Sequence, residues 1–313
     1  MKGFREEFPL YSLFARAGDA VRVWVRNSRA FLRDLCRNTT SIIGLMIIGS
    51  FTILALLAPV VTTPNIPNPY RMKKDMLHPL VSPGSPNHPL GTDKTGSDVL
   101  YGLIWGTRLS MSIALTITAA AFVVGVVLGT TAGVIGGAVD TLLMRLTDGF
   151  FALPPYILAM AILASLGATI ENLEITLILI TWPRFARVVR SQVLSVKELT
   201  YVHAARATGA SGIRIAVRHI LPNAISPVFI QASLSVGEIV LWIAGLSFIG
   251  LAPPNMTEWG NMVSLGQSDL IGGYWWPSVF AGIMIFLFVL GTNLLGDGLR
   301  DVLDPRIRHS KMR

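Results

Sequence analysis

Five stretches of this chain are long, apolar and nearly free of charge, and that limits the fold more than any other feature. They run from about Ser41 to Val61, Leu109 to Ile135, Phe150 to Leu166, Ala224 to Leu251 and Trp276 to Leu295, and Glu238 is their one formally charged residue. A helix needs about 20 apolar residues to cross a hydrocarbon core about 30 Å thick. The runs are continuous rather than alternating in polarity, which argues against a spanning barrel. Only 14% of the 313 residues are charged, where soluble domains have about a quarter. The chain therefore reads as an all-α membrane protein.

A sixth segment is decided by parity. Thr169–Val189 has an apolar centre of only Ile175–Trp182, with Glu171 and Glu174 at one end and Arg184, Arg187 and Arg190 at the other. Basic residues cluster in three places: the N-terminal tail (Lys2 to Arg37), the stretch from Arg184 to Arg218, and the C-terminus from Arg300. Basic clusters mark the cytoplasmic side, so an even number of spans must separate each pair. The segment then crosses as the fourth span. The expectation is six transmembrane helices with both termini cytoplasmic. Loops 63–107, 167–174 and 252–275 then face outside. Trp105, Trp275 and Trp276 fall at the outer boundaries and Trp182 near an inner one, as interfacial anchors do. The net charge of +8 is explained by this sidedness and does not call for nucleic acid.

The expected layout is a cytoplasmic basic tail (1–40), a first transmembrane helix (41–62), an extracytoplasmic loop (63–107) and a five-helix core (108–298). That core contains a cytoplasmic loop (184–222), and a cytoplasmic tail (299–313) follows it. The first apolar run starts too deep for a cleavable signal peptide, so the first span stays as an anchor. Within the tail, Val21, Trp24, Val25, Ser28, Leu32 and Leu35 share one side of a helix and Arg22, Arg26, Arg29, Arg33 and Arg37 the other. Such a helix lies on an anionic leaflet or packs on a partner or on the chain's own loops. Cys36 is the only cysteine, so no intrachain disulfide forms.

Inside the membrane, Gly125, Gly129, Gly133 and Gly137 repeat a small residue every fourth position, the pattern that lets two helix backbones approach closely. The partner helix, in this chain or another, is left open. Glu238 is a candidate path residue, because an intramembrane carboxylate is costly and functional by default; a structural Glu facing a neighbouring helix is the alternative. Asn293 in the last span is a second candidate, or an interhelical hydrogen-bonding group.

Several chemistries are missing. No phosphate-cradling Gly-x-x-x-x-Gly-Lys-Ser/Thr, no His-Glu-x-x-His and no Gly-x-Ser-x-Gly occurs. His78, His88, His203, His219 and His309 are scattered without metal-ligand spacing. Gly91–Asp98 lacks the alternating acids and terminal Glu of a calcium loop and reads as a structural turn. No catalytic, metal or cofactor site is expected on this chain. Energy for uphill transport must come from a partner or an ion gradient.

The stretch Tyr201–Asn223 is basic, rich in small residues and set between apolar segments. It resembles the cytoplasmic Glu-Ala-Ala loop of permease subunits in binding-protein-dependent ABC importers. The matching positions are His203-Ala204-Ala205, Gly209, His219 and Leu221-Pro222, with Thr208 on the same small-residue face. His203 replaces the motif's Glu, and His219 stands at an apolar position, as in the dipeptide/oligopeptide subfamily. His88–Leu100, Leu246–Pro254 with Trp259-Gly260, and Asn293–Arg306 resemble further signatures of that subfamily's C-type permease, which also serves nickel importers.

The resemblance implies a type I ABC importer permease fold and a non-enzymatic transport subunit in the cell membrane. It implies a second permease, two cytoplasmic ATPases that bind ATP and Mg, and an extracytoplasmic solute-binding protein. The coupling helix would lie around Ala204, Ala205 and Gly209. The expected cargo is dipeptides or oligopeptides. Nickel, a sugar or another small solute is the alternative within the class, and an ion-coupled secondary transporter is the alternative outside it.

Overall fold

In a computed structural model, the structure describes residues 35–36, 38–254 and 256–303. Most of the expected tail helix over 20–37 and the C-terminal tail beyond 303 lie outside these. The described residues are all-helical, with isolated bridges such as Arg71 to Met256 and no strand.

Helix α1 (Thr39–Val61) starts at Asn38, whose side chain accepts from the Thr40 N–H at 3.1 Å. Helix α2 (Val99–Ile135) starts at Asp98, which accepts from the Tyr101 N–H at 2.8 Å. The apolar run places its start at Leu109. Residues Val99–Thr107 are helical as well, so the outer loop ends at Asp98 rather than residue 107. Those first turns are buried in protein by the folded-back loop.

The third apolar run is not one straight span. Helix α3 (Gly137–Phe151) and helix α4 (Pro155–Leu166) meet at an 83° bend. Pro154 and Pro155 force it: each lacks an N–H, and each pushes the residue before it out of helical geometry. Helix α5 (Ile170–Lys197) then runs back the length of the bundle, starting at a Thr169 cap.

A connection of short helices follows: α6 (Thr200–Ala207), α7 (Gly212–Ile215), a π-helical turn (Ala216–Ile220) and α8 (Leu221–Ala224). Helix α9 (Ser226–Phe248) leads to α10 (Trp259–Gly266), and α11 (Trp276–Leu303) closes the described fold. Among the described residues, α1, α2, α9 and α11 are long and apolar enough to cross a membrane, and the bent α3–α4 pair makes a fifth candidate.

The stripe of glycines explains the longest seam. A Cβ on Gly125 would stand 2.3 Å from the Cβ of Phe185, one on Gly129 2.5 Å from the Ala186 carbonyl oxygen, and one on Gly133 2.6 Å from Val193. The partner is therefore α5 of the same chain. Gly137 does not belong to this seam. It opens α3 beyond the break at Gly136, with φ +55° and open space around it. Without side chains, α2 and α5 gain dispersion contacts along their backbones, the packing that operates where lipid cancels hydrophobicity.

The loop 252–275 is also more than an external connection. Its helix α10 enters the bundle, and Trp259 is fully buried between Phe51 and Phe288, with ring centroids 5.6 and 5.7 Å away. Trp105, Trp182 and Trp276, expected at interfaces, are buried in protein, while Trp275 is about half exposed. Two of the three have found protein acceptors: Trp105 Nε1 donates to Thr62 Oγ1 at 2.9 Å and Trp276 Nε1 to the Thr92 carbonyl at 3.0 Å. Amphipathic rings are as content there as at a headgroup.

Candidate functional site

The stretch between α5 and α9 folds from small, local rules. Helix α6 ends in a Schellman motif. The Gly209 N–H bonds the Arg206 carbonyl at 3.0 Å and the Ala210 N–H bonds the Ala205 carbonyl at 3.3 Å. That closure needs a left-handed residue, and Gly209 has φ +79°, with open space where a Cβ would stand.

Downstream, Pro222 has no N–H to return to the helix ladder. The chain widens into the π turn, where the Leu221 N–H reaches the Ala216 carbonyl. Asn223 Nδ2 donates to the His219 carbonyl at 2.8 Å. This gives Asn223 a role in bracing the turn rather than in capping the helix that follows.

Together these elements frame an open groove of about 510 Å³ lined by Ala204, Ala205, Thr208, Gly209, Ala210, Arg214, Arg218 and His219. Sequence reading named five of these eight; Arg214 and Arg218 add a basic wall. Leu221 and Pro222 lie in the turn that carries this wall to α9. His203 lies outside the groove lining and sits 3.6 Å from Glu198, both largely exposed. Beneath α6, Val202 is fully buried and joins Val193, Val196 and Ile220 in one apolar cluster. The exposed small face is thus held on a rigid base.

The second set lies between α5 and α9. Glu238 is paired with Arg184. Beside the pair a cleft of about 30 Å³ is lined by Phe151, Pro155, Ile180, Thr181, Ser235, Ile239 and Trp242. The next arginines on α5 are also matched: Arg187 with Asp148 at 2.5 Å, and Arg190 with Asp140 through two nitrogens. Each acid comes from α3. Asn293 is exposed on α11.

The sequence alone does not reveal Arg184 as the partner of Glu238, because its positive charge fits the cytoplasmic cluster equally well. The signal was available: an acid in mid-span needs a base at a matching depth. Glu258 was missed as well. It is buried and caps α10, accepting from the Gly260 and Asn261 N–H groups at 2.8 Å each and from Ser247 Oγ at 2.9 Å.

The outer loop is tied down by acids and histidines. His88 Nδ1 lies 2.7 Å from Asp98 Oδ2, and its Nε2 lies 3.4 Å from Asp75 Oδ2. Hydrogen bonding to Asp98 holds the His88 imidazole above its usual pKa, against a smaller opposing effect of burial. In the Gly91–Asp98 turn, Asp93 Oδ1 accepts from the Thr95 and Ser97 N–H groups at 2.7 and 2.8 Å, as a structural turn requires.

A helical bundle with several membrane-length helices defines a polytopic membrane protein. The fold matches a chain of the methionine ABC transporter MetNI in an inward-facing conformation, with TM-score 0.55 over 66% of this chain and 98% of that one, at 18% identity. Residues 125–309 match the binding-protein-dependent transport system inner membrane component, and residues 27–83 match the N-terminal domain of oligopeptide transport permease C. The chain belongs to this family of importer permeases and is a multi-pass cell-membrane protein.

Its relatives include a dipeptide transport system permease protein of Alkalihalophilus pseudofirmus, 38% identical over 92% of each chain. A di/tripeptide permease of Pseudomonas aeruginosa is 35% identical over 95% of this chain and 98% of that one. A glutathione permease of Pectobacterium atrosepticum is 39% identical over 71% and 73%.

Proposed function

We propose that the chain forms half of the translocation pathway for dipeptides or oligopeptides and couples it to ATP hydrolysis on a partner. The partners are a second permease, two ATPase subunits that bind ATP and Mg, and an extracytoplasmic binding protein that delivers the peptide. In this reading the chain is the transport subunit and ATP hydrolysis belongs to the ATPases. Relatives at 35–39% identity that carry peptide names support the cargo.

The observation that carries the coupling role is the α6 surface. Its small residues face outward over a groove, while Val202 and Ile220 fix it to the bundle. A side chain or helix of a partner can approach Ala204, Ala205 and Gly209 closely, and the rigid base transmits the resulting push. Nucleotide-driven closure of the ATPases would move two such surfaces together and reorient the paired permeases as rigid bodies.

Six spans with both termini inside follow if α5 crosses. Its 28 residues reach about 42 Å at 1.5 Å per residue. Its arginines are matched by Glu238, Asp148 and Asp140, which reduces the cost of placing them there. Glu238 and Asn293 stand as path residues in this reading. The test is uptake of a labelled dipeptide into proteoliposomes holding the full complex. Uptake that needs ATP inside and binding protein outside is expected; uptake driven by an ion gradient alone would overturn the reading.

A further inference from the structure

The pair Arg184–Glu238 has a use that its chemistry singles out. Arg184 stands near the middle of α5 and Glu238 near the middle of α9. Charges at that depth are expensive and mark substrate pathways, relays or partners. This pair is also reachable: the two side chains keep 40% and 35% of their surface exposed. Where that exposed side faces a water-filled path, such a pair holds weakly and parts at little cost.

We infer that Arg184 and Glu238 form a dipolar site for the free carboxylate and ammonium ends of a zwitterionic peptide, the pair exchanging partners as cargo passes. This rests on the peptide reading above and names the chemistry that recognises it.

Three observations converge. The first is that the pair is neutral overall, so exchange with a zwitterion leaves the site's charge unchanged. The guanidinium takes a carboxylate through two parallel N–H bonds, and the Glu takes an ammonium. The second is that the cleft beside it, about 30 Å³, has room for little more than a water. An occupant must therefore part the pair rather than sit next to it. The third is the wall: Phe151 and Trp242 offer apolar surface for peptide side chains, and Thr181 and Ser235 offer hydroxyls. The α3–α4 bend brings Phe151 and Pro155 to this spot. A metal cation would meet the repulsion of Arg184. A neutral sugar would leave both charges unpaired once it parted them.

The experiment uses the full complex in proteoliposomes with its binding protein. Uptake of a free dipeptide is compared with that of its N-acetylated and C-amidated forms. Each rate is divided by the binding protein's measured occupancy, so that selection upstream is removed. The wild-type complex is expected to favour the free peptide by about tenfold, the effect of one charged hydrogen bond. Glu238→Gln should bring the ratio to N-acetyl peptide close to one, and Arg184→Gln should do the same for the amide.

Unchanged ratios in both variants would overturn the inference. Where a single variant fails to assemble, Arg184→Gln with Glu238→Gln removes both charges without leaving either one unpaired. Ratios close to one for both capped peptides in that double variant support the inference, and wild-type ratios in it would also overturn it. If the wild-type complex takes up no peptide at all, the cargo reading itself fails, and this inference with it.

Discussion

The seam between α2 and α5 and the surface of α6 are built from the same small residues and do opposite things. In the seam, Gly125, Gly129 and Gly133 are small because another backbone occupies the space a side chain would fill. At the α6 surface, Ala204 and Gly209 are small with nothing against them in this chain. Gly209 answers to backbone geometry, a left-handed closure, while its surroundings are open. A run of small residues in a sequence therefore does not by itself distinguish a neighbouring backbone from a left-handed turn or an exposed face.

Substitutions can break this contrast. Gly129→Leu should have the largest effect, because its Cβ would start 2.5 Å from a backbone oxygen that cannot move aside. Overpacking of this kind costs about 3 kcal/mol or more, so folded protein recovered in detergent should fall sharply, as read by size-exclusion chromatography. Gly209→Leu meets no neighbour and should cost the isolated chain only about 1–2 kcal/mol for its left-handed backbone. The same variant should lose the ATPases on co-purification while the second permease is retained.

Asn223→Ala removes one brace of the π turn, worth about 1 kcal/mol. It should leave assembly intact and speed hydrogen exchange at Ala216–Asn223.

The smallest effect concerns the outer loop that His88 pins to Asp98 and Asp75. His88 has its pKa raised by Asp98, so its contribution is complete below the ordinary histidine pKa and is lost as pH rises through the raised value. Protease nicking within 75–98 should increase over that rise and should not do so in His88→Gln, whose amide is neutral throughout.

Much of the fold was legible because its physics is local. Uninterrupted apolar runs located α1, α9 and α11, and the Asp98 and Asn38 caps are sequence signals that the apolar pattern alone overrode. Two features of the fold were not legible. The bend at Pro154-Pro155 was visible as a pair of prolines, but nothing in the order of residues gives its angle. The burial of Trp105, Trp182 and Trp276 depends on α10 and the outer loop folding into the bundle, which are long-range events. Interfacial and buried tryptophans look alike in one dimension, since both need one wet or hydrogen-bonded edge.

Glu238 was legible as a costly residue, yet its partner Arg184 was not, because that arginine also satisfied the sidedness rule. The candidate coupling residues were named from a motif, and most of them line one groove. Its basic wall of Arg214 and Arg218 emerged only once the π turn set the two arms of the connection side by side.

The proposed coupling role puts an ATPase against the α6 surface. Cys36 is the single native cysteine, so a Cys36→Ser background makes site-directed crosslinking clean. A cysteine placed by Ala204→Cys should form an adduct with the ATPase in the assembled complex, with yield changing when nucleotide is added. A control at Gly282, on the far helix α11, should form none. An intact complex that holds its ATPases yet gives no adduct from position 204 would contradict the account.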